Sequence, residues 1–99
     1  MPNPNVQAIV AVCSAVALED FGEQVVDSEV EAFLRDLLFG ERALWAAIEA
    51  GLITFPELAL GLVERFLVWL SDQTNRPTEE IFALSKQELV FKMEAALRA

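Results

Sequence analysis

A chain of 99 residues with 16 acidic and 7 basic side chains has a formal charge of −9 at pH 7, which opposes binding to phosphate backbones and to anionic lipid surfaces. Its length fits one domain, and 55% of its residues are apolar. Because a domain of this size buries a smaller share of its surface than a large one, we expect some apolar side chains to remain exposed. The composition therefore predicts a single acidic domain whose partner is a protein, with no direct contact to nucleic acid and no membrane.

The amino-terminal segment predicts a short leader followed by an apolar helix. Residues 1–5, MPNPN, should be extended, because each proline biases the preceding residue away from the helical conformation. From Val6 to about Asp20, the only polar side chains before the acidic end are Gln7 and Ser14. These two lie seven residues apart on one narrow stripe. We therefore expect this helix to be almost surrounded, either at the centre of a bundle or at a contact between subunits.

Two amphipathic helices are predicted next. In DSEVEAFLRDLLF, which begins at Asp27, apolar residues recur at i, i+3, i+4, i+7 and i+8. ERALWAAIEA forms a further helix with Trp45 on its apolar face. Gly51 should end it in the left-handed conformation that costs glycine least. Each of these helices is expected to contribute one apolar face to a core.

The most apolar stretch is GLITFPELALGLVERFLVWL, residues 51–70. A membrane span needs about 20 largely uncharged residues, and the pair Glu64 and Arg65 lies in the middle of this run. Thr54 and Pro56 are typical of a helix start within it. We therefore predict a helix of a water-soluble bundle, with an apolar side that covers more than half of its circumference.

The carboxyl-terminal third predicts a loop and two helical segments. Residues 71–78, SDQTNRPT, are polar and contain Pro77. A short helical piece, EEIFAL, follows, and Ser85 with Glu88 has the spacing of a capping box that would open a last helix. Phe91 points away from the buried face of that helix, so it should be exposed unless EEIFAL folds over it. The predicted class is all-α: a compact bundle of five to six helices forming a single domain, residues 1–99.

Catalytic chemistry finds little support in this composition. The chain has no histidine, which removes the commonest general base and the commonest metal ligand. Its one cysteine, Cys13, excludes an intrachain disulfide and fits a reducing cytoplasm. The apolar neighbours of Cys13 should raise the pKa of its thiol and make it unreactive. The four glycines lie too far apart to build a nucleotide-binding loop. We therefore expect no enzyme, no catalytic residue, no cofactor and no metal.

The first functional hypothesis is a protein–protein interaction module. In it, the surplus apolar helix surface drives self-association, most simply as a homodimer, or binding to a larger protein. The predicted apolar contacts are Phe66, Trp69 and Phe91. Aromatic side chains dominate cores and interfaces alike, so the alternative for all three is a place in the core.

The second hypothesis rests on acidic residues around the first predicted turn. In this hypothesis the chain is an inhibitor or regulator of the phage or bacterial anti-defence or transcription-control type. The acidic residues would form its contact with a basic nucleic-acid-binding groove of a target protein. The alternative is a solvated corner that only aids solubility. The spacing lacks the ligand pattern of a calcium-binding EF-hand. The residues concerned are Glu19, Asp20, Glu23, Asp27, Glu29 and Glu31.

Overall fold

The computed structural model describes residues 4–40 and 42–98, which form five helices and contain no strand. The helices are α1 (Pro4–Phe21), α2 (Asp27–Leu38), α3 (Arg42–Ala50), α4 (Phe55–Thr74) and α5 (Thr78–Arg98). All five contribute buried apolar side chains to one hydrophobic cluster. The predicted all-α class and single domain are thus confirmed.

Helix α1 lies at the centre of the bundle, in contact with the other four helices. Its buried residues point in most directions around its axis, as expected of a helix without a polar face. Of the two predicted environments for this helix, the structure shows the central one. The buried residues of α1 are Val6, Ile9, Val10, Val12, Cys13, Val16, Ala17 and Phe21.

An aromatic cluster joins α2 to α4. The ring centroid of Phe33 lies 4.8 Å from that of Trp69 and 6.4 Å from that of Phe66, with 72° between the planes of Phe33 and Phe66. Phe66 and Trp69 are 5.5 Å apart. Tilted and edge-to-face arrangements at these distances are the favourable ones for aromatic pairs. The cluster therefore fastens two helices that lie far apart in sequence.

Gly51 ends α3 as predicted. Its φ of 71° is left-handed, and the amides of Gly51 and Leu52 donate hydrogen bonds to the carbonyls of Ile48 and Ala47 at 3.1 and 2.9 Å. These two bonds form a Schellman motif, which satisfies carbonyls that the last helical turn leaves free. The chain then turns into α4 at Thr54, whose side chain makes no capping bond.

The predicted leader, residues 1–5, is too long. Pro4 and Asn5 already belong to α1, because proline fits the first turn of a helix, where its missing amide hydrogen is not needed. Residues 1–3 lie outside the described residues.

The predicted loop at residues 71–78 is also too long, since α4 continues to Thr74 and α5 begins at Thr78. Thr74 Oγ1 donates to the carbonyl of Leu70 at 2.8 Å, so this polar side chain is compatible with the helix. Ser71 is buried and donates to the carbonyl of Arg76, while Thr78 donates to Ser71 Oγ at 3.0 Å. These bonds close a turn of only three residues, 75–77.

The prediction of a break at Ser85 is wrong, because EEIFAL and the last helix form one continuous helix, α5. Ser85 is fully buried on the inner side of α5, and its hydroxyl has no hydrogen-bond partner within the described part of the chain. Packing of the inner face against α1 and α4 outweighs the local capping signal.

Ser85→Ala should raise the free energy of unfolding by about 0.5–1 kcal/mol, because alanine has the higher helix propensity and no hydroxyl group to bury. Urea denaturation followed by circular dichroism measures this change. A helix cap at Ser85 would give the opposite sign, a loss of about 1 kcal/mol. A destabilised variant would therefore contradict the continuous helix.

Phe66→Ala should lower the free energy of unfolding by about 3–5 kcal/mol, since it removes a fully buried ring and leaves a cavity. Val68→Ala, at an exposed position of the same helix, is the matched control and should change stability by less than about 1 kcal/mol. Urea denaturation of both variants is the measurement. An unchanged midpoint for Phe66→Ala would show that this ring does not support the core.

Candidate protein-interaction surface

The side of α5 that faces away from the core carries large apolar side chains. Its inner side buries residues four apart, Ile81, Ser85, Leu89 and Met93. On the outer side, Leu84 is 61% exposed and Phe91 is 72% exposed. Seven residues are close to two helical turns, so these two side chains lie on one stripe, about 10 Å apart.

The apolar surface continues from α5 toward α4. Val90 and Leu97 of α5 are also exposed, and they border a depression of about 220 Å³ whose other side is formed by Pro56 and Leu60 of α4. Leu84, Val90, Phe91 and Leu97 are called the α5 face below. All four are exposed side chains of a helix whose inner side is used by the core.

The predicted apolar contacts fall into three different environments. Phe66 is 0% exposed, so its prediction as a partner contact is wrong: the aromatic cluster with Phe33 and Trp69 encloses it. Trp69 is half-buried in the same cluster. Phe91 is exposed as predicted, and the EEIFAL segment does not cover it, because that segment continues straight into α5. Its contact with a partner stays a prediction.

Lys92 forms ion pairs with two of the predicted acidic residues. Lys92 Nζ lies 2.5 Å from a carboxylate oxygen of Glu19 and 3.7 Å from one of Asp20. Burial on its own would lower the pKa of Lys92, but the hydrogen bond to Glu19 and the negative charge of Asp20 outweigh it and raise that pKa. The pair of acids therefore fastens the end of α1 to α5.

Two further acids of the corner also have partners in the chain. Ser14 Oγ donates a hydrogen bond of 2.7 Å to Asp27, which joins α1 to the start of α2. Glu31 accepts a 3.0 Å hydrogen bond from Arg35 one turn away. Within the described residues, Glu23 and Glu29 form no ion pair. Most of the acidic corner thus has an intramolecular role, whatever else it does.

A groove between α2 and α3 was missed by the sequence analysis. It encloses about 450 Å³ and is lined by two arginines and two aromatic residues, among others. The guanidinium carbon of Arg35 lies 4.7 Å from the ring centroid of Trp45, and that of Arg42 lies 5.8 Å from that of Phe39. The signal that could have revealed it is the spacing of these residues, i+4 for Arg35 and Phe39 and i+3 for Arg42 and Trp45.

Both arginines of this groove already stack on aromatic rings of the same chain. In addition, Trp45 Nε1 donates a 3.0 Å hydrogen bond to Glu49. The two arginines and Trp45 of this groove therefore already have interaction partners within the chain. Phe39 remains 72% exposed at its edge, the same exposed fraction as Phe91.

The thiol of Cys13 is fully buried at the centre of α1. Burial raises its pKa to about 12, although a backbone hydrogen bond acts in the opposite direction. The thiolate needed for nucleophilic attack is therefore negligible near neutral pH. Cys13 acts as a small apolar core residue.

Over residues 4–40 and 42–98, no helix is long and apolar enough to cross a membrane, and no three acidic or thiol side chains come together in a way that would hold a metal ion. Comparison with known proteins gives no match: no family model, no curated protein and no solved structure matches this chain. Function is therefore inferred from the geometry of the chain itself.

Above pH 9, the free energy of unfolding should fall by up to about 1.4 kcal/mol per pH unit until about pH 12. The pKa of Cys13 is raised in the folded state, so its contribution is complete below pH 9 and is lost as the unfolded thiol ionises. Urea denaturation at pH 8, 9, 10 and 11 measures this slope. Lys92, whose pKa is also raised, adds to it above about pH 10.

Cys13→Ala supplies the control, because it should be less stable than the parent at pH 8 yet lose less stability between pH 9 and 10. Parallel pH slopes for the two proteins over that interval would show that Cys13 does not ionise on unfolding as described.

Proposed function

We propose that this chain is a non-enzymatic interaction module that forms a homodimer through the α5 face. The observation that carries the proposal is the exposure of Leu84 and Phe91 on one stripe of a helix whose inner side is fully packed. Exposed large apolar side chains grouped on one element of a folded domain favour an interaction site. Burying such a patch contributes about 25 cal/mol per Å² of apolar area.

A second copy of the chain is the partner that best fits this surface. In a dimer with two-fold symmetry, the same patch of each subunit covers that of the other, so no additional partner is needed to bury it. The α5 face lies on a single helix of 21 residues at the outside of the bundle. A rigid, extended helix of this kind is suited to pairing with its own copy.

The acidic corner supports the alternative function less well. Four of its six carboxylates already bond to Lys92, Ser14 or Arg35 of the same chain. Docking on a basic groove would have to compete with these bonds. An inhibitor role is therefore the weaker of the two hypotheses. The single free thiol supports a reducing compartment such as the cytoplasm as the site of action.

Phe91→Ala should weaken self-association at least tenfold, because it removes a large side chain at the centre of the proposed contact. Phe39→Ala is the matched control, since Phe39 has the same residue type and the same exposed fraction, 72%, on a different face. Light scattering on a sizing column, from about 10 μM to about 1 mM, gives the mass of each protein.

The expected result is a concentration-dependent dimer for the parent and for Phe39→Ala, and a shift toward monomer for Phe91→Ala. A parent that stays monomeric throughout would contradict the proposed function. A dimer that Phe39→Ala weakens and Phe91→Ala does not would assign self-association to the groove between α2 and α3 instead. Circular dichroism checks that each variant is folded.

A further inference from the structure

We propose that, in the dimer of the proposed function on which this inference rests, α5 packs antiparallel against α5 of the partner subunit in a defined register. The contact stripe alternates steps of four and three residues, the spacing of the a and d positions of a two-helix coiled coil. All six of its residues are exposed, and they lie opposite the buried side of α5. The outer stripe consists of Glu80, Leu84, Gln87, Phe91, Glu94 and Arg98.

Charge at the two ends of the outer stripe decides the orientation. Glu80 lies near the beginning of α5 and Arg98 at its end. A parallel pair would bring Glu80 next to its own copy and Arg98 next to its own copy, which is repulsive at both ends. An antiparallel pair brings Glu80 of each subunit opposite Arg98 of the partner subunit, which forms two ion pairs. Complementary charges of this kind set orientation and register more than affinity.

The same register brings the apolar side chains together. When Glu80 is opposite the partner's Arg98, Phe91 is opposite the partner's Gln87 and within one turn of the partner's Leu84. Each two-fold-related half of the contact then holds one phenylalanine ring and, one helical turn along the partner's helix, one leucine. Leu84 is opposite the partner's Glu94, whose methylene groups can cover it while the carboxylate reaches water.

The size of this contact predicts a reversible dimer. From residue 80 to residue 98, the outer stripe is about 27 Å long. A single pair of helices of this length buries less than the roughly 800 Å² per partner of a standard stable interface. Val90 and Leu97, beside the stripe, extend the contact toward the depression next to α4. We therefore expect dissociation in the micromolar range or weaker.

The test reverses the charges singly and together. Glu80→Arg and Arg98→Glu should each weaken dimerisation about tenfold at low salt, since each turns two attractive pairs into two repulsive ones. The double variant Glu80→Arg/Arg98→Glu should restore the dissociation constant to within about threefold of the parent, because the pairs are re-formed with exchanged signs. Sedimentation equilibrium measures the three constants, and circular dichroism confirms that each chain is folded.

Matched controls are available elsewhere in the chain. Glu64→Arg and Arg76→Glu make the same charge changes at exposed positions outside α5. Each should change the dissociation constant by less than about threefold. Without them, an effect of net charge could not be separated from an effect of position.

The outcomes separate the register from the dimer itself. Weakened single variants with a restored double variant support the antiparallel register. Single variants that dimerise like the parent, or a double variant as weak as the single ones, would overturn the register while leaving self-association in place. A parent chain that is monomeric up to about 1 mM would overturn the proposed function and this inference with it.

Discussion

The packing of α1 is the constraint on which the rest of the structure depends. A helix that has apolar side chains on nearly every side cannot lie at the surface of a domain of this size without exposing much of them. The other four helices surround it, and eight of its residues are buried. Because α1 is covered by its own chain, the apolar residues at its centre, including Cys13, are not available to a partner.

The central position of α1 determines what is left at the surface. Helices α4 and α5 each face α1 and also face each other, so their inner sides are used completely. The wide apolar side of α4 is shared between α1, α5 and the aromatic cluster that includes Phe33 of α2. Among residues 4–40 and 42–98, no further helix covers the outer side of α5. Its outer stripe therefore exposes part of the surplus of apolar residues, Leu84 and Phe91.

Sequence periodicity predicted the elements that have one clear apolar face. Helices α2 and α3 begin and end within a residue or two of their expected positions, and Gly51 adopts the left-handed conformation that the pattern indicated. Ser85 shows where local signals fail. Its spacing to Glu88 is typical of a helix start, but burial of the side of α5 that includes Ile81 and Leu89 requires one uninterrupted helix.

The candidate site was only partly predictable for a related reason. The outward position of Phe91 follows from the geometry of one helix, because its neighbours leave no doubt about the buried side. The positions of Phe66 and Trp69 do not follow from α4 alone, whose apolar side covers more than half of the circumference. Phe33, more than 30 residues away, contacts both rings, and Phe66 is enclosed because that side of α4 packs into the core shared by all five helices. Contacts between distant residues of this kind are not contained in the pattern of a single helix.

Self-association of a chain with a charge of −9 has to overcome repulsion between the copies. The structure reduces this repulsion in part, since Lys92 offsets one of the two negative charges of Glu19 and Asp20 on the side of α5 that contacts α1. Added salt would screen the remaining repulsion and also weaken the pairs of Glu80 with Arg98. These two effects have opposite signs, so the apolar contact of Leu84 and Phe91 should dominate over a wide range of ionic strength. In a contact made mainly by acidic residues with a basic partner, salt would screen only attractive interactions. The affinity of such a contact would therefore fall steadily with added salt.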